Sequence, residues 1–201
     1  ALNLEAAGID YSARGIVVDP RLRTTNKRVF AIGDVAGGFQ FTHMAGYHAD
    51  IVIRNALFKL PAKTDHSAVP WVTYTEPELA HVGLSELMAK DRGVTVKVLC
   101  WPLADNDRAQ AERETGGFVK VLVDGRGRIK GATIVGQHAG ELIQPWVLAI
   151  SSGLKIGAMA QFIAPYPTFG EASKRAAGSH YTASLFSERT RKVVRLLQRL
   201  S

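Results

Sequence analysis

Phe118-Val119-Lys120-Val121-Leu122-Val123-Asp124-Gly125-Arg126-Gly127-Arg128-Ile129-Lys130-Gly131-Ala132-Thr133-Ile134-Val135 sets two apolar, β-branched runs on either side of a glycine-rich polar turn. Such runs favour strands, and Asp-Gly between them is a strong hairpin signal. Strands are therefore expected over 118–123 and 129–135. Moving towards the N-terminus, Val94 to Trp101 alternates like a third strand. Trp71-Val72-Thr73-Tyr74 and Leu79-Ala80-His81-Val82-Gly83 flank a turn at Glu76-Pro77, and Ser85 is placed to cap a short helix reaching Arg92. Towards the C-terminus, a helix is expected from Glu141 to Ser152. Gly153 would stop it, and Pro145 is comfortable there only in a first turn. A second helix is read from Thr168, and a last one from Ser187 to Leu200.

The first sixty residues follow a different rhythm. Ala1 to Gly8 reads as the end of a helix, Gly15 to Asp19 as a short strand, and Arg28-Val29-Phe30-Ala31-Ile32 as a buried strand ending at Gly33-Asp34. After the Gly37-Gly38 turn, Thr42 is placed to cap a helix running to about Leu57. Its apolar positions Ala45, Ala49, Val52 and Ala56 share one face. Residues 59–68 are polar and patternless, which marks a boundary. The division expected is 1–60, 65–185 and a basic amphipathic segment over 186–201.

Composition narrows the function classes. The 201 residues are 46% hydrophobic and 21% charged, as in an ordinary globular protein. The net charge of +7 admits an anionic partner. However, the basic residues Arg189, Arg191, Lys192, Arg195 and Arg199 gather in the tail, and no nucleic-acid-binding motif is present, so no nucleic acid partner is expected. No apolar run approaches the ~20 residues of a membrane span. The chain opens without an initiator Met, a basic n-region or a secretory h-region, so it is read as beginning within a longer protein, and its cysteine usage fits a cytoplasmic location. Cys100 is the single cysteine, which excludes an internal disulfide or dithiol; its strand-like setting suggests a small buried hydrophobe. The six histidines lack the spacing of a metal site, so no metal is expected. In the tail, Val193, Val194, Leu196, Leu197 and Leu200 oppose the basic residues. That helix could dock on a membrane surface or lead to a further domain, but packing on its own protein is the favoured reading.

Two places carry chemistry. At Gly33-Asp34 a carboxylate ends an apolar strand and precedes a glycine-bearing turn and a helix. It can accept hydrogen bonds from a polyol, or simply close a turn. At Pro165-Tyr166-Pro167-Thr168-Phe169-Gly170-Glu171, Thr168 and Glu171 form a T-x-x-E capping box.

Both places resemble the flavin-dependent pyridine nucleotide-disulfide oxidoreductases, closest to mercuric reductase-like and dihydrolipoamide dehydrogenase-like members. Val29 to Asp34 is similar to their second flavin-binding fingerprint, and Tyr166 to Glu171 to their His-Pro-x-x-x-Glu signature. Supporting matches, in order, are Val69 to Glu78, Asn106 to Ala109, Gly117 to Val121, Ile134 to Glu141 and the opening Leu2 to Ile9. The resemblance covers the whole chain, but only as the C-terminal part of a longer enzyme. It implies an α+β fold, an antiparallel sheet with flanking helices forming a dimerisation domain, preceded by a remnant of an α/β FAD-binding domain. It further implies a homodimer, FAD held partly by Gly33, Asp34, Thr42, His43 and Met44, and NAD(P)H bound elsewhere. A redox dithiol outside this chain would act on a small-molecule or disulfide substrate. Tyr166 stands where the family carries the histidine of a His-Glu acid/base pair. Free histidine titrates near about 6.5 and tyrosine near about 10, so Tyr166 is a hydrogen-bond donor rather than a base. The mercuric reductase branch has tyrosine there, in a similar Ala-Pro-Tyr setting, but it also ends in a cysteine pair that this tail lacks. Tyr166 and Glu171 are the catalytic candidates, with Glu171 either supporting Tyr166 or capping its helix. The alternative is a non-catalytic dimerisation module.

Overall fold

In the computed structural model, the Asp124 carboxylate organises the central hairpin. Its Oδ1 accepts from the Arg126 and Arg128 amides, each at 2.9 Å. Burial alone would raise its pKa, but these amides and Lys130 hold it below the usual carboxylate range. The structure describes residues 2–199. Their contacts divide the chain into two units, Ala1–His66 and Ser67–Ser201.

In the first unit, β1 (Tyr11–Ser12) pairs antiparallel with β2 (Gly15–Ile16), and a 3₁₀ turn over Gly33–Ala36 precedes α1 (Thr42–Ala56). A small cluster of Ile9, Ile16 and Ala31 forms the interior beside the first hairpin. Three expectations change here. Residues 4–8 form a single turn, not the end of a helix: Gly8 donates to the Glu5 carbonyl at 3.0 Å, and Asn26 and Thr25 bond the Ala7 and Gly8 carbonyls. Ala1 lies outside the described residues. Arg28 to Ile32 is not a regular strand. It makes one bridge, Arg23 to Phe30, because the chain doubles back through Asn26 and no longer strand runs beside it among the described residues. Finally, Phe41 rather than Thr42 is the N-cap of α1, and no side chain caps that end.

The second unit is built on β3 (Pro70–Thr73), β4 (Glu78–Gly83), α2 (Glu86–Asp91), β5 (Lys97–Pro102), α3 (Asp107–Glu112), β6 (Phe118–Val123) and β7 (Ile129–Gly136). The strands form one five-stranded sheet, ordered β3-β4-β7-β6-β5, with every neighbouring pair antiparallel. The hairpin thus supplies two of the three inner strands. Val119, Val121, Ala132 and Ile134 are fully buried, as expected for inner strands covered by packing. Gly131 allows a close approach by the chain leaving β4, since a Cβ there would lie 2.0 Å from the Leu84 carbonyl oxygen. Ser85 caps α2 as expected, accepting from the Met88 amide at 3.1 Å. Cys100 is exposed, not buried: β5 is an edge strand whose alternation sends Leu99 inward and Cys100 outward.

Helices follow the sheet: α4 (Ala139–Leu142), α5 (Gln144–Ser151), α6 (Ile156–Gln161), α7 (Glu171–Leu185) and α8 (Glu188–Leu197). The single helix expected over 141–152 is two, because Pro145 has no amide to donate and sits in the first turn of α5. The helix expected from Thr168 begins at Glu171. The Thr168 hydroxyl donates to the Pro165 carbonyl at 2.7 Å, so it caps nothing. Small residues Ala172, Ser173, Ala176 and Ala177 form the buried face of α7. There the fully buried Trp146 of α5 donates from Nε1 to Ser173 Oγ at 3.0 Å. Helix α8 is capped by Ser187, but none of its residues is buried, contrary to the favoured reading that it packs on its own protein. Leu200, the last apolar residue expected in it, lies outside the described residues. No helix of the described residues is long and apolar enough to cross a membrane.

The Trp146–Ser173 bond locks α5 to α7 inside the core. Ser173→Ala would leave a buried N–H without an acceptor, at a cost of about 1–3 kcal/mol. Urea unfolding followed by circular dichroism should show a lower midpoint with an unchanged slope.

Candidate functional site

The loop before α7 is carried by one buried amide side chain. Asn106 is 3% exposed. Its Oδ1 accepts from the Ala109 amide at 3.0 Å, capping α3, and its Nδ2 donates to the Thr168 carbonyl at 3.1 Å. The first turn of α3 is thereby tied to the Pro165–Thr168 bend. The Tyr166 hydroxyl then meets α3 directly, donating to Asp107 Oδ2 at 2.8 Å. That hydrogen bond, with the Asp107 charge and then the more distant Glu171 charge, raises the phenol above its ordinary value. The ring itself stays exposed at 68%. Tyr166 is a neutral, outward-facing donor, not a proton acceptor.

Glu171, the first residue of α7, is partly buried. Its Oε1 accepts from Arg175 Nε at 3.1 Å and from Nη2 at 2.8 Å, one helical turn on. Tyr166 and Glu171 line one open cleft together with Trp101, Lys174 and Arg175. Each holds a different partner, and no hydrogen bond joins them. The Trp101 Nε1 is buried beside this cleft with no partner of its own. The cleft therefore offers a phenol, a carboxylate already bound by a guanidinium, an ammonium and an indole. It can hold and orient a polar group, and it presents no free base.

In the first unit, Gly33 adopts a left-handed φ of 64°, and a Cβ there would come 3.1 Å from the Ala45 Cβ of α1. The tight turn sets Asp34 beside α1. Its carboxylate is exposed and meets no hydrogen bond or ion pair among the described residues. Thr42 and His43 are exposed in the first turn of α1, whereas Met44 is buried at 3%. The arrangement rests on His48, whose Nδ1 accepts from the Gly33 amide at 3.1 Å. Burial, followed by the nearby His66, lowers the His48 pKa and keeps the ring in the neutral form that can accept.

Sequence reasoning assigned His48 no role beyond its lack of metal-site spacing and overlooked Asp107, Asn106 and Arg175 as site-builders. Some signals were available. Asn106 precedes a first turn as an N-cap should, and Arg175 is four residues beyond Glu171. Nothing in the sequence pointed to His48, since its role depends on the return of Gly33 to α1. Among the described residues, no group of three His, Cys, Asp or Glu side chains could hold a metal ion.

Comparison with known proteins identifies the family. Residues 69–177 match the pyridine nucleotide-disulphide oxidoreductase dimerisation domain, and residues 1–49 match a second model of the same family, described as pyridine nucleotide-disulphide oxidoreductase. The chain belongs to the pyridine nucleotide-disulphide oxidoreductases, a family of flavin-dependent disulfide reductases. It is 41% identical to a mercuric reductase of Bacillus cereus over 178 residues, 88% of this chain and 28% of that protein. It is 37% identical to a dihydrolipoyl dehydrogenase of Staphylococcus aureus, again over 88% of this chain and 38% of that one. Its fold matches the HOCl-induced flavoprotein disulfide reductase RclA of Escherichia coli with a TM-score of 0.81 and 30% identity, covering 88% of this chain and 41% of that one. The chain thus spans about a third of the length of the curated relatives.

Because the Tyr166 proton is held by Asp107, that contribution is complete below the ordinary tyrosine pKa of about 10 and is lost as pH rises through the raised value. Tyrosinate absorbance should show two phenols titrating late, Tyr166 and Tyr11, the latter raised by its own hydrogen bond to Glu5. Asp107→Asn should bring the Tyr166 transition down towards the ordinary value, while Tyr166→Phe should leave the Tyr11 transition as the single late one.

Proposed function

We propose that this chain is the C-terminal portion of a homodimeric, FAD-dependent oxidoreductase, to which it contributes the dimer interface and parts of the flavin and substrate sites. FAD, when bound, would carry electrons from NAD(P)H to a dithiol supplied elsewhere in the enzyme, for delivery to a disulfide or metal-type acceptor. Asp34 would accept hydrogen bonds from the ribityl hydroxyls. Gly33 and His48 hold its turn in place. The Thr42, His43 and Met44 end of α1 would present its positive dipole end to the flavin's pyrimidine edge.

The observation that carries this reading is the Asp34 carboxylate, exposed and without a partner beside a helix N-terminus that no side chain caps. A turn residue with only a local role would be expected to spend its carboxylate on neighbouring amides, as Asp124 does. For substrate, Tyr166 would reach across the dimer to position the acceptor near the partner's dithiol, and it would release its hydrogen bond to Asp107 in order to donate to that acceptor. Glu171 would keep Arg175 in place along the same cleft. Such a site positions and polarises an acceptor and leaves proton abstraction to other groups.

A second reading is favoured by the single cysteine: taken alone, the chain is a dimerisation module without its own redox couple. A colourless, stable dimer of this chain would support it, and a yellow, flavin-containing preparation would support the first.

In the full-length protein, Asp34→Ala should weaken FAD retention roughly ten- to a hundred-fold, the loss expected for a hydrogen bond to a charged acceptor. Flavin absorbance after gel filtration measures it, with circular dichroism as the folding control. Flavin content equal to the unsubstituted protein would refute the assignment of Asp34.

A further inference from the structure

Helix α8 is an amphipathic element that the oxidoreductase reading does not use. It spans Glu188–Leu197, and none of its ten residues is buried. Val193, Val194, Leu196 and Leu197 are 44–60% exposed. At about 100° per residue these four side chains fall within an arc of roughly 160°. Arg191, Lys192 and Arg195, with Arg199 just beyond, occupy the opposite side. Arg189 and Thr190 fall inside the apolar arc, Arg189 about 20° from its edge, where a long side chain can reach back to a polar surface. The only acid in the segment, Glu188, is already engaged by Arg191 at 3.6 Å. Immediately before the helix, Leu185 and Phe186 are 60% and 69% exposed.

The identity of the occupant follows from these two faces. A nucleic acid would satisfy the basic face and leave the aliphatic arc in water. A second copy of α8 would cover the aliphatic arc but bring like charges together, and ten residues give only about 15 Å of helix, short of the repeats a coiled coil needs. Only an interface that is apolar below and anionic above satisfies both faces at once. A helix with a basic polar face, an aliphatic opposite face and low overall hydrophobicity lies in the plane of a bilayer surface and does not cross it. Basic clusters add to that binding in proportion to the negative surface potential.

We propose that α8 docks on anionic lipid headgroups. Val193, Val194, Leu196 and Leu197 would enter the acyl boundary, and Arg191, Lys192, Arg195 and Arg199 would remain at headgroup level. The helix hangs on the second unit chiefly through the Ser184–Thr190 corner, where the Thr190 hydroxyl donates to the Ser184 carbonyl at 2.7 Å. It can therefore meet a surface without disturbing the sheet.

Flotation of the full chain with phosphatidylglycerol-containing vesicles, and with phosphatidylcholine vesicles, tests this. Binding should appear on the anionic vesicles alone and decline with added salt. Lys192→Glu with Arg195→Glu should weaken it by roughly tenfold or more. Val194→Ser with Leu197→Ser should weaken it similarly, and circular dichroism should report a fold as stable as before, since neither residue is buried. Three results would overturn the proposal. Equal partitioning to both vesicles, or none to either, is one. Vesicle binding untouched by the serine pair is the second, since it would mean simple charge adsorption. The third is competition by a DNA duplex that the serine-substituted chain still binds.

Discussion

A single buried carboxamide ties the chemistry of this protein to its fold. Asn106 sits where α3 meets the loop before α7, and its two ends do different work: the oxygen closes a helix, and the nitrogen holds the Thr168 carbonyl. Buried amide groups are costly unless paired, and both ends of Asn106 are paired. With the loop held at this point, Tyr166 projects from it, Asp107 receives its proton, and Glu171 starts α7 in a position to take Arg175. The sheet supplies a rigid floor, but Asn106 fixes the position of the residues that face outward.

A tyrosine at position 166, where the resemblance leads one to expect a histidine, has a clear physical consequence. An imidazole at this place could shuttle a proton near neutral pH, whereas a phenol bound to a carboxylate cannot. The Asp107 partner makes the phenol less acidic still. Under the proposed function, such a phenol would orient an acceptor by turning its proton from Asp107 to the substrate, a role that suits positioning more than protonation. The single cysteine of this chain, exposed on an edge strand, provides no redox pair to compensate.

Some of this was legible from the residues alone, for physical reasons. The β6–β7 hairpin was plain because Asp124 and its glycines dictate a turn and the flanking runs can do little but form strands. Helix α1 was plain from its periodicity. Other features depended on long-range neighbours that no local pattern reports. Arg28 to Ile32 has strand-like composition, yet a strand needs partners, and the chain offers it a single bridge. Thr168 and Glu171 have the spacing of a capping box, but the Thr168 hydroxyl found a nearer acceptor in Pro165. Helix α3 is six residues long, too short for periodicity to show, though its Asn106 cap was visible. His48 acts through a contact fifteen residues back along the chain, which only the folded structure brings about.

The claim that Asn106 holds the Tyr166 loop is tested most directly by amide hydrogen exchange on Asn106→Ala. The account predicts faster exchange confined to the segment from Pro165 to Glu171 and the first turn of α3, with the amides of β6 and β7 protected as before. Unchanged protection in that segment, or loss of protection spread evenly through the sheet, would contradict it.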